Sequence, residues 1–174
     1  LFRHVLMRAL FLANPVLTKS DDAMVERVAE QERTALYSDW ISFDLLASGT
    51  QKSSEELLKN AIREQCIDER MHCMVHCAAL LDKTGRINKV AGRLYHENRH
   101  VRARALEVLD NVGNMRVNRW VISLLDTADS LSHVRAAQTA LSARPSSLEA
   151  VIKKYRTHSY PWVRDCAAYA CGIS

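Results

Sequence analysis

Glycine and proline are scarce in this chain, with 5 and 3 residues among 174. Sandwiches and barrels need turns at short intervals, so that scarcity argues against an all-β fold. Neither a Gly-x-Gly-x-x-Gly turn nor a Walker-type phosphate loop occurs, which leaves no support for a nucleotide site of those kinds. Long hydrophobic runs are also missing. The most apolar stretch, Leu1 to Leu17, is broken by Arg3, His4 and Arg8, and so falls short of the roughly 18 apolar residues that a membrane span needs. No small-residue cleavage site follows it, so an amphipathic helix is expected there rather than a signal peptide. The chain opens on Leu1 instead of Met, and we expect it to be a piece of a longer protein. Five cysteines, an odd number without framework spacing, are expected as free thiols in a cytoplasmic setting. That setting fits a cytoplasmic protein or the cytosolic domain of a membrane protein.

What is present is ordinary for a globular domain: 48% apolar and 25% charged residues, enough to build a single core. The formal net charge of +4 is unevenly placed. Residues 1–87 carry 11 basic and 13 acidic side chains, whereas residues 88–174 carry 13 and 7. An anionic partner should therefore prefer the C-terminal half.

Apolar residues recur at three- and four-residue spacing almost throughout, which predicts helices. A first helix runs to Ala13 and is stopped by Asn14-Pro15. A second is expected from about Ala23 to Ala47, capped by Ser20-Asp21-Asp22, with an apolar stripe of Met24, Val28, Ala35, Trp40, Leu45 and neighbours. Ser53-Ser54-Glu55-Glu56 has capping chemistry and opens a third through Leu57, Leu58, Ala61, Ile62 and Cys66. Beyond it a repeat emerges. Val101-Arg102, Val134-Arg135 and Val163-Arg164 each open a short helix rich in small residues, expected at 103–112, 136–143 and 165–173. A weaker fourth copy aligns Leu80-Leu81-Asp82 with Val108-Leu109-Asp110. A longer amphipathic helix precedes each copy: Glu55–Cys66, Ile87–Tyr95, Val117–Leu125 and Leu148–Tyr155. A helix pair recurring at this period is the sequence signature of a solenoid, since one pair cannot bury both of its faces. Small residues such as Ala167, Ala168, Ala170 and Cys171 would let paired helices approach closely.

The segment from Val163 to Ile173 (Val-Arg-Asp-Cys-Ala-Ala-Tyr-Ala-Cys-Gly-Ile) resembles the second helix of a HEAT repeat. In that family the arginine braces the turn, a position matched here by Arg102, Arg135 and Arg164. A narrower resemblance covers residues 24–126. The string from Arg102 to Asn111 (Arg-Ala-Arg-Ala-Leu-Glu-Val-Leu-Asp-Asn), followed by Ser123-Leu124-Leu125-Asp126, is similar to the HEAT region of nucleotide-translocase-like (ATP/ADP carrier-like) membrane transporters, which often carry a cyclic-nucleotide-binding domain. The resemblance implies an all-α, right-handed α-solenoid of HEAT-like helix pairs. Residues 1–174 would form one repeat domain, with 1–50 less regular and 53–174 holding four pairs.

Three constellations bear on chemistry. His72-Cys73 and His76-Cys77 have the i, i+4 spacing of helical metal ligands. The repeat alignment, however, sends Cys73 and Cys77 to core positions and His72 and His76 outward, so no metal site is expected. Cys166 and Cys171 are expected as packing residues. No serine sits in a nucleophile elbow, and Asp39 and Asp44 are spaced for different helix faces, so no catalytic residue is assigned. The basic stretch from Arg86 to Arg119 is the most distinctive feature. Within it Arg99, Arg104 and, at its end, Arg116 and Arg119 form the candidate interaction surface, while Arg102, Arg135 and Arg164 are the structural arginines of the repeat. Tyr95 and Trp120 are candidates for stacking on bases.

These features point to a non-catalytic scaffold or protein-interaction module without a cofactor, from the cytosolic part of a larger transporter-like or regulatory protein. Its expected partner is a protein. The basic half could also take an acidic peptide, nucleic acid or lipid headgroups. A nucleic-acid-binding HEAT-like protein is the alternative, and steep salt dependence would mark it.

Overall fold

The computed structural model describes residues 2–49, 52–126, 130–142 and 147–172. The protein is all-α, with no strand among the described residues. Helices run in the order α1 (Phe2–Ala13), α2 (Lys19–Ser48), α3 (Ser53–Ala61), a π-helical segment (Ile62–Asp68), α4 (Glu69–Leu80), α5 (Arg86–Val90), a 3-10 segment (Ala91–Tyr95), α6 (Arg99–Asn111), α7 (Met115–Asp126), α8 (Ser130–Leu141), α9 (Leu148–Tyr155) and α10 (Pro161–Ala170). None of the described helices is long and apolar enough to cross a membrane.

Local chemistry accounts for most of the boundaries. Asn14 takes a left-handed conformation (φ 46°) and ends α1. The cap of α2 is a Thr18/Asp21 box: Thr18 N and Oγ1 donate to Asp21 Oδ2 at 2.9 and 2.7 Å, and Asp21 N donates back to Thr18 Oγ1 at 3.3 Å. The helix therefore begins four residues before the expected Ala23. Asn98 caps α6 by accepting from His100 N at 2.9 Å. Asn114 caps α7 by accepting from Arg116 N and Val117 N at 3.1 and 3.2 Å. Ser147 caps α9 by accepting from Ala150 N at 3.2 Å. Pro161 sits at the start of α10, where its missing N–H costs nothing. The helix ends expected at Ala143 and Ile173 lie outside the described residues.

Two compact units make up the chain. The first contains Phe2–Arg33 and the described residues of Arg70–Ala128. Here α6 packs against α5, the 3-10 segment and α7. The core includes Met7, Val25, Ala29, Cys73, Met74, Cys77, Ile87, Leu94, Ala105, Leu109, Val117 and Val121. The α6–α7 turn is held from inside. Asn118, wholly buried, donates through Nδ2 to the Leu109 carbonyl at 2.7 Å and also to that of Val112. These bonds satisfy carbonyls that the end of α6 would otherwise leave unpaired. Gly113, at φ 75°, turns beneath Asp82 and Ile87, where an added Cβ would come within 3.2 Å of both.

The second unit contains Thr34–Glu69 and the described residues of Asp129–Ser174. Its last helix, α10, rests on α3 as well as on α9. Leu36, Trp40, Ile41, Leu46, Leu58, Ile62, Ile67, Val134, Ala137, Val151, Tyr155, Val163 and Ala167 fill its core.

Several expectations change. The buried apolar residues of α2 are Val25, Ala29, Leu36, Tyr37, Trp40, Ile41 and Leu46, while Met24 is exposed. Residues 19–33 and 34–48 of this helix belong to different units. Lys52, not a serine, stands at the N-cap of α3 and makes no side-chain cap bond, and Leu57 is exposed. No turn separates the first expected helix from the weak fourth copy. Residues 53–80 are helical without a break, with a π-helical segment at 62–68. Cys171 is exposed and Ala168 and Ala170 are only half-buried, whereas Cys166 and Ala167 are buried. Cys171 is the C-cap of α10, past the last turn that faces the core.

Candidate functional site

The start of α6 brings His96 and Arg102 together. Asn98 N donates to His96 Nδ1 at 3.0 Å, and Arg102 Nη1 donates to the His96 carbonyl at 3.3 Å. The same pair of bonds recurs at α10. Tyr160 N donates to His158 Nδ1 at 3.3 Å, and Arg164 Nη1 donates to the His158 carbonyl at 3.3 Å. The guanidinium thus holds a turn carbonyl just ahead of the helix. The histidine was missed in the sequence, although His-x-x-x-x-Val-Arg occurs at 96–102 and again at 158–164. For Arg135 the matching position is 129, outside the described residues. Arg102 is half-buried, and Arg135 and Arg164 are exposed.

The turn at His96 also forms one edge of a groove. A depression of about 400 Å³ is lined by Val90, Arg93, His96, Val101, Arg104, Ala105 and Val108. A smaller one of about 200 Å³ adjoins it, lined by Arg86, Arg104, Glu107, Val108, Asn111 and Val112. Arg104 and Val108 belong to both. The floor is valine and alanine, and three arginines stand around it against one glutamate.

All four arginines of the expected basic surface are exposed. Arg104 lines the groove, whereas Arg99 and Arg119 are exposed and do not. Arg116 pairs with Glu30 at 3.1 Å and lies 4.9 Å from the Trp120 ring centroid. Arg33 stands over the same ring at 4.1 Å. Tyr95 packs against His72 with ring centroids 4.4 Å apart. Both aromatics proposed for base stacking are therefore already in contact with other side chains.

Cys73 and Cys77 are buried, as the repeat alignment placed them, and His72 is exposed. Its mate His76 is half-buried and stacks on Phe11 at 4.5 Å. Burial, reinforced by the charges of His72 and Arg8, brings His76 down to about 4. The hydrogen bond with Cys73, together with burial, pushes the Cys77 thiol up, away from the thiolate form that binds metals. Among the described residues no group of three or more His, Cys, Asp or Glu side chains could hold a metal ion.

Both units hold buried carboxylates, among them Glu32 in the first and Asp39 in the second. Glu32 faces His4 at 2.9 Å, Arg3 at 3.0 Å, and Arg70. Burial alone would raise its carboxyl, but the His4 hydrogen bond and the Arg70 and His4 charges prevail and bring it to about 2. Asp39 accepts from Tyr155 Oη at 2.7 Å and from Lys154 Nζ at 3.1 Å. Lys154 Nζ also reaches Ser38 Oγ at 3.0 Å and Ser42 Oγ at 3.3 Å. A serine beside a lysine can act as a nucleophile when the amine is neutral. Here Lys154 is shared between both serines and the buried Asp39 carboxylate.

The geometry thus defines an all-α protein with a basic, apolar-floored groove on α6. Protein families, curated proteins and solved structures provide no match to the chain.

Proposed function

We propose that this chain is a non-catalytic helix-repeat module that takes an acidic, amphipathic protein segment in the groove between α5, the 3-10 segment and α6. The observation that carries this reading is the groove itself, where Arg86, Arg93 and Arg104 surround a floor of Val90, Val101, Ala105 and Val108. An amphipathic helix laid in such a groove would put its apolar side on the floor and its carboxylates against the guanidiniums. The repeated His–Arg turn brace at α6 and α10 supports a repeat architecture, and HEAT-like, right-handed pairing is our reading of it. An open solenoid packs only neighbouring pairs. Since α10 also rests on α3, the repeat character is strongest locally, in α5–α7 and α9–α10. We further propose that the module belongs to the cytosolic part of a larger transporter-like or regulatory protein; membrane-spanning segments flanking it in the full-length gene product would support that placement.

The test is fluorescence anisotropy with two probes, a labelled helical peptide bearing glutamates on one face and leucines on the other, and a single-stranded oligonucleotide of equal charge. Peptide binding that is lost in Arg93→Glu/Arg104→Glu supports the proposal. Equal peptide binding by that variant overturns it, as does preference for the oligonucleotide with steep salt dependence, the mark of phosphate binding.

A further inference from the structure

We propose that α1 docks flat on an anionic lipid surface through its outward face. Its inner side is accounted for by buried His4 and Met7 and by Phe11 against His76. The outer side is apolar as well. Phe2 is 81% exposed, Val5 59% and Leu12 71%, and Leu6, Ala9 and Ala13 are also exposed. At about 100° per residue these six positions fall in one arc of about 120°, the width of a complete apolar stripe. Arginines border the arc on both edges. Arg8 lies one turn from Leu12, and Arg3 one turn from Leu6. Arg3 remains 47% exposed while bonded to Glu32, so its remaining donors can reach outward. Val16, 98% exposed, extends the apolar surface past the helix end, and Lys19 follows. No acidic residue occurs before Asp21, which is engaged with Thr18, and Asp22 is paired with Lys83.

This pattern fits the boundary between headgroups and acyl chains. Apolar side chains enter the hydrocarbon edge, and flanking arginines reach lipid phosphates. A second copy of the chain fits less well. Twelve residues make a helix about 18 Å long, and one face about 10 Å wide offers on the order of 200 Å². A stable protein interface needs about 800 Å² per partner. Being too short to span a bilayer, α1 would lie in the surface plane.

Flotation with phosphatidylcholine vesicles, with and without phosphatidylserine, tests the proposal. The chain should float with the phosphatidylserine vesicles, less so as salt rises. Val5→Glu/Leu12→Glu should abolish flotation and Arg8→Glu should weaken it, with unchanged helical circular dichroism, because all three side chains are exposed. Peptide binding in the α6 groove should survive in these variants, which separates this proposal from the one above. Failure of the parent chain to float, or flotation by Val5→Glu/Leu12→Glu equal to the parent, overturns it. A dimer in analytical ultracentrifugation that Val5→Glu/Leu12→Glu dissociates also overturns it, because the face would then be covered by a second copy.

Discussion

Tyr155 donates its phenolic proton to Asp39 across a 2.7 Å hydrogen bond that joins residues 116 apart in sequence, both of them buried. Burial, aided by the Asp39 charge, pushes the Tyr155 hydroxyl well above the usual phenol range, so it remains a donor. Lys154 approaches the same carboxylate oxygen, but its side chain is 38% exposed.

A bond to a buried charge is worth more than one shared with solvent. Tyr155→Phe should cost about 1.5–3 kcal/mol, the range for hydrogen bonds to charged groups. Lys154→Met should cost less, about 1 kcal/mol or below, because solvent already screens that pair. Equilibrium denaturation of the two variants and of the double variant measures both losses and their coupling. Equal losses would mean that exposure does not govern these bonds.

Glu32 predicts a pH dependence. Its carboxyl lies at about 2 in the folded chain against an ordinary 4.5. The folded value is the lower one, so the stabilisation is complete above about 4.5 and drains away as pH falls toward about 2. Glu32→Gln should flatten the stability profile across that window. It should also lower stability at neutral pH by about 1.5–3 kcal/mol, the range for hydrogen bonds to charged groups, because Arg3 and Arg70 keep access to solvent. Stability curves of the parent and the variant between neutral pH and strong acid provide the check.

Two glycines with positive φ differ in their surroundings. Gly85 at φ 67° has open space where a Cβ would go, whereas Gly113 at φ 75° faces Asp82 and Ile87 at 3.2 Å. Gly85→Ala should cost roughly 1–2 kcal/mol from backbone strain alone. Gly113→Ala should cost more, because it also pushes against the Asp82 side chain whose Oδ2 accepts from Ile87 N at 2.8 Å. Thermal melts of the two variants should rank in that order.

The turn-bracing arginines have smaller stakes. Arg102→Ala and Arg164→Ala each remove one bond to a histidine carbonyl, worth about 0.5–1.5 kcal/mol net. Arg104→Ala and Arg119→Ala should stay within about 0.5 kcal/mol of the parent, as ordinary surface changes do. Identical denaturation midpoints for all four would remove the bracing role.

Much of the local structure was legible in the sequence because its causes lie within a few residues. Asn14-Pro15 ended α1, and the Val-Arg pairs marked the helices that became α6, α8 and α10. The alignment of Cys73 with Val101 and Cys77 with Ala105 placed both thiols inside. Helix periodicity and capping act over one or two turns, so a single pass along the chain can find them.

What only the tertiary structure decided depends on contacts between segments far apart in the chain. The groove needs Arg93 from the 3-10 segment beside Arg104 from α6, while Arg116, which looks equivalent in sequence, is drawn to Glu30 and Trp120. Of the residues named for the stripe of α2, Trp40 is buried, Val28, Ala35 and Leu45 are half-buried and Met24 is exposed. Asp39 and Glu32 gave no sign of burial in the sequence, because a charged side chain is normally solvated unless partners compensate it. Those partners, Tyr155 and Lys154 for Asp39, and His4 and Arg70 for Glu32, lie 28 to 116 residues away. Periodicity sets which residues share a helix face, but the side chain that meets that face is chosen by the packing of the whole chain.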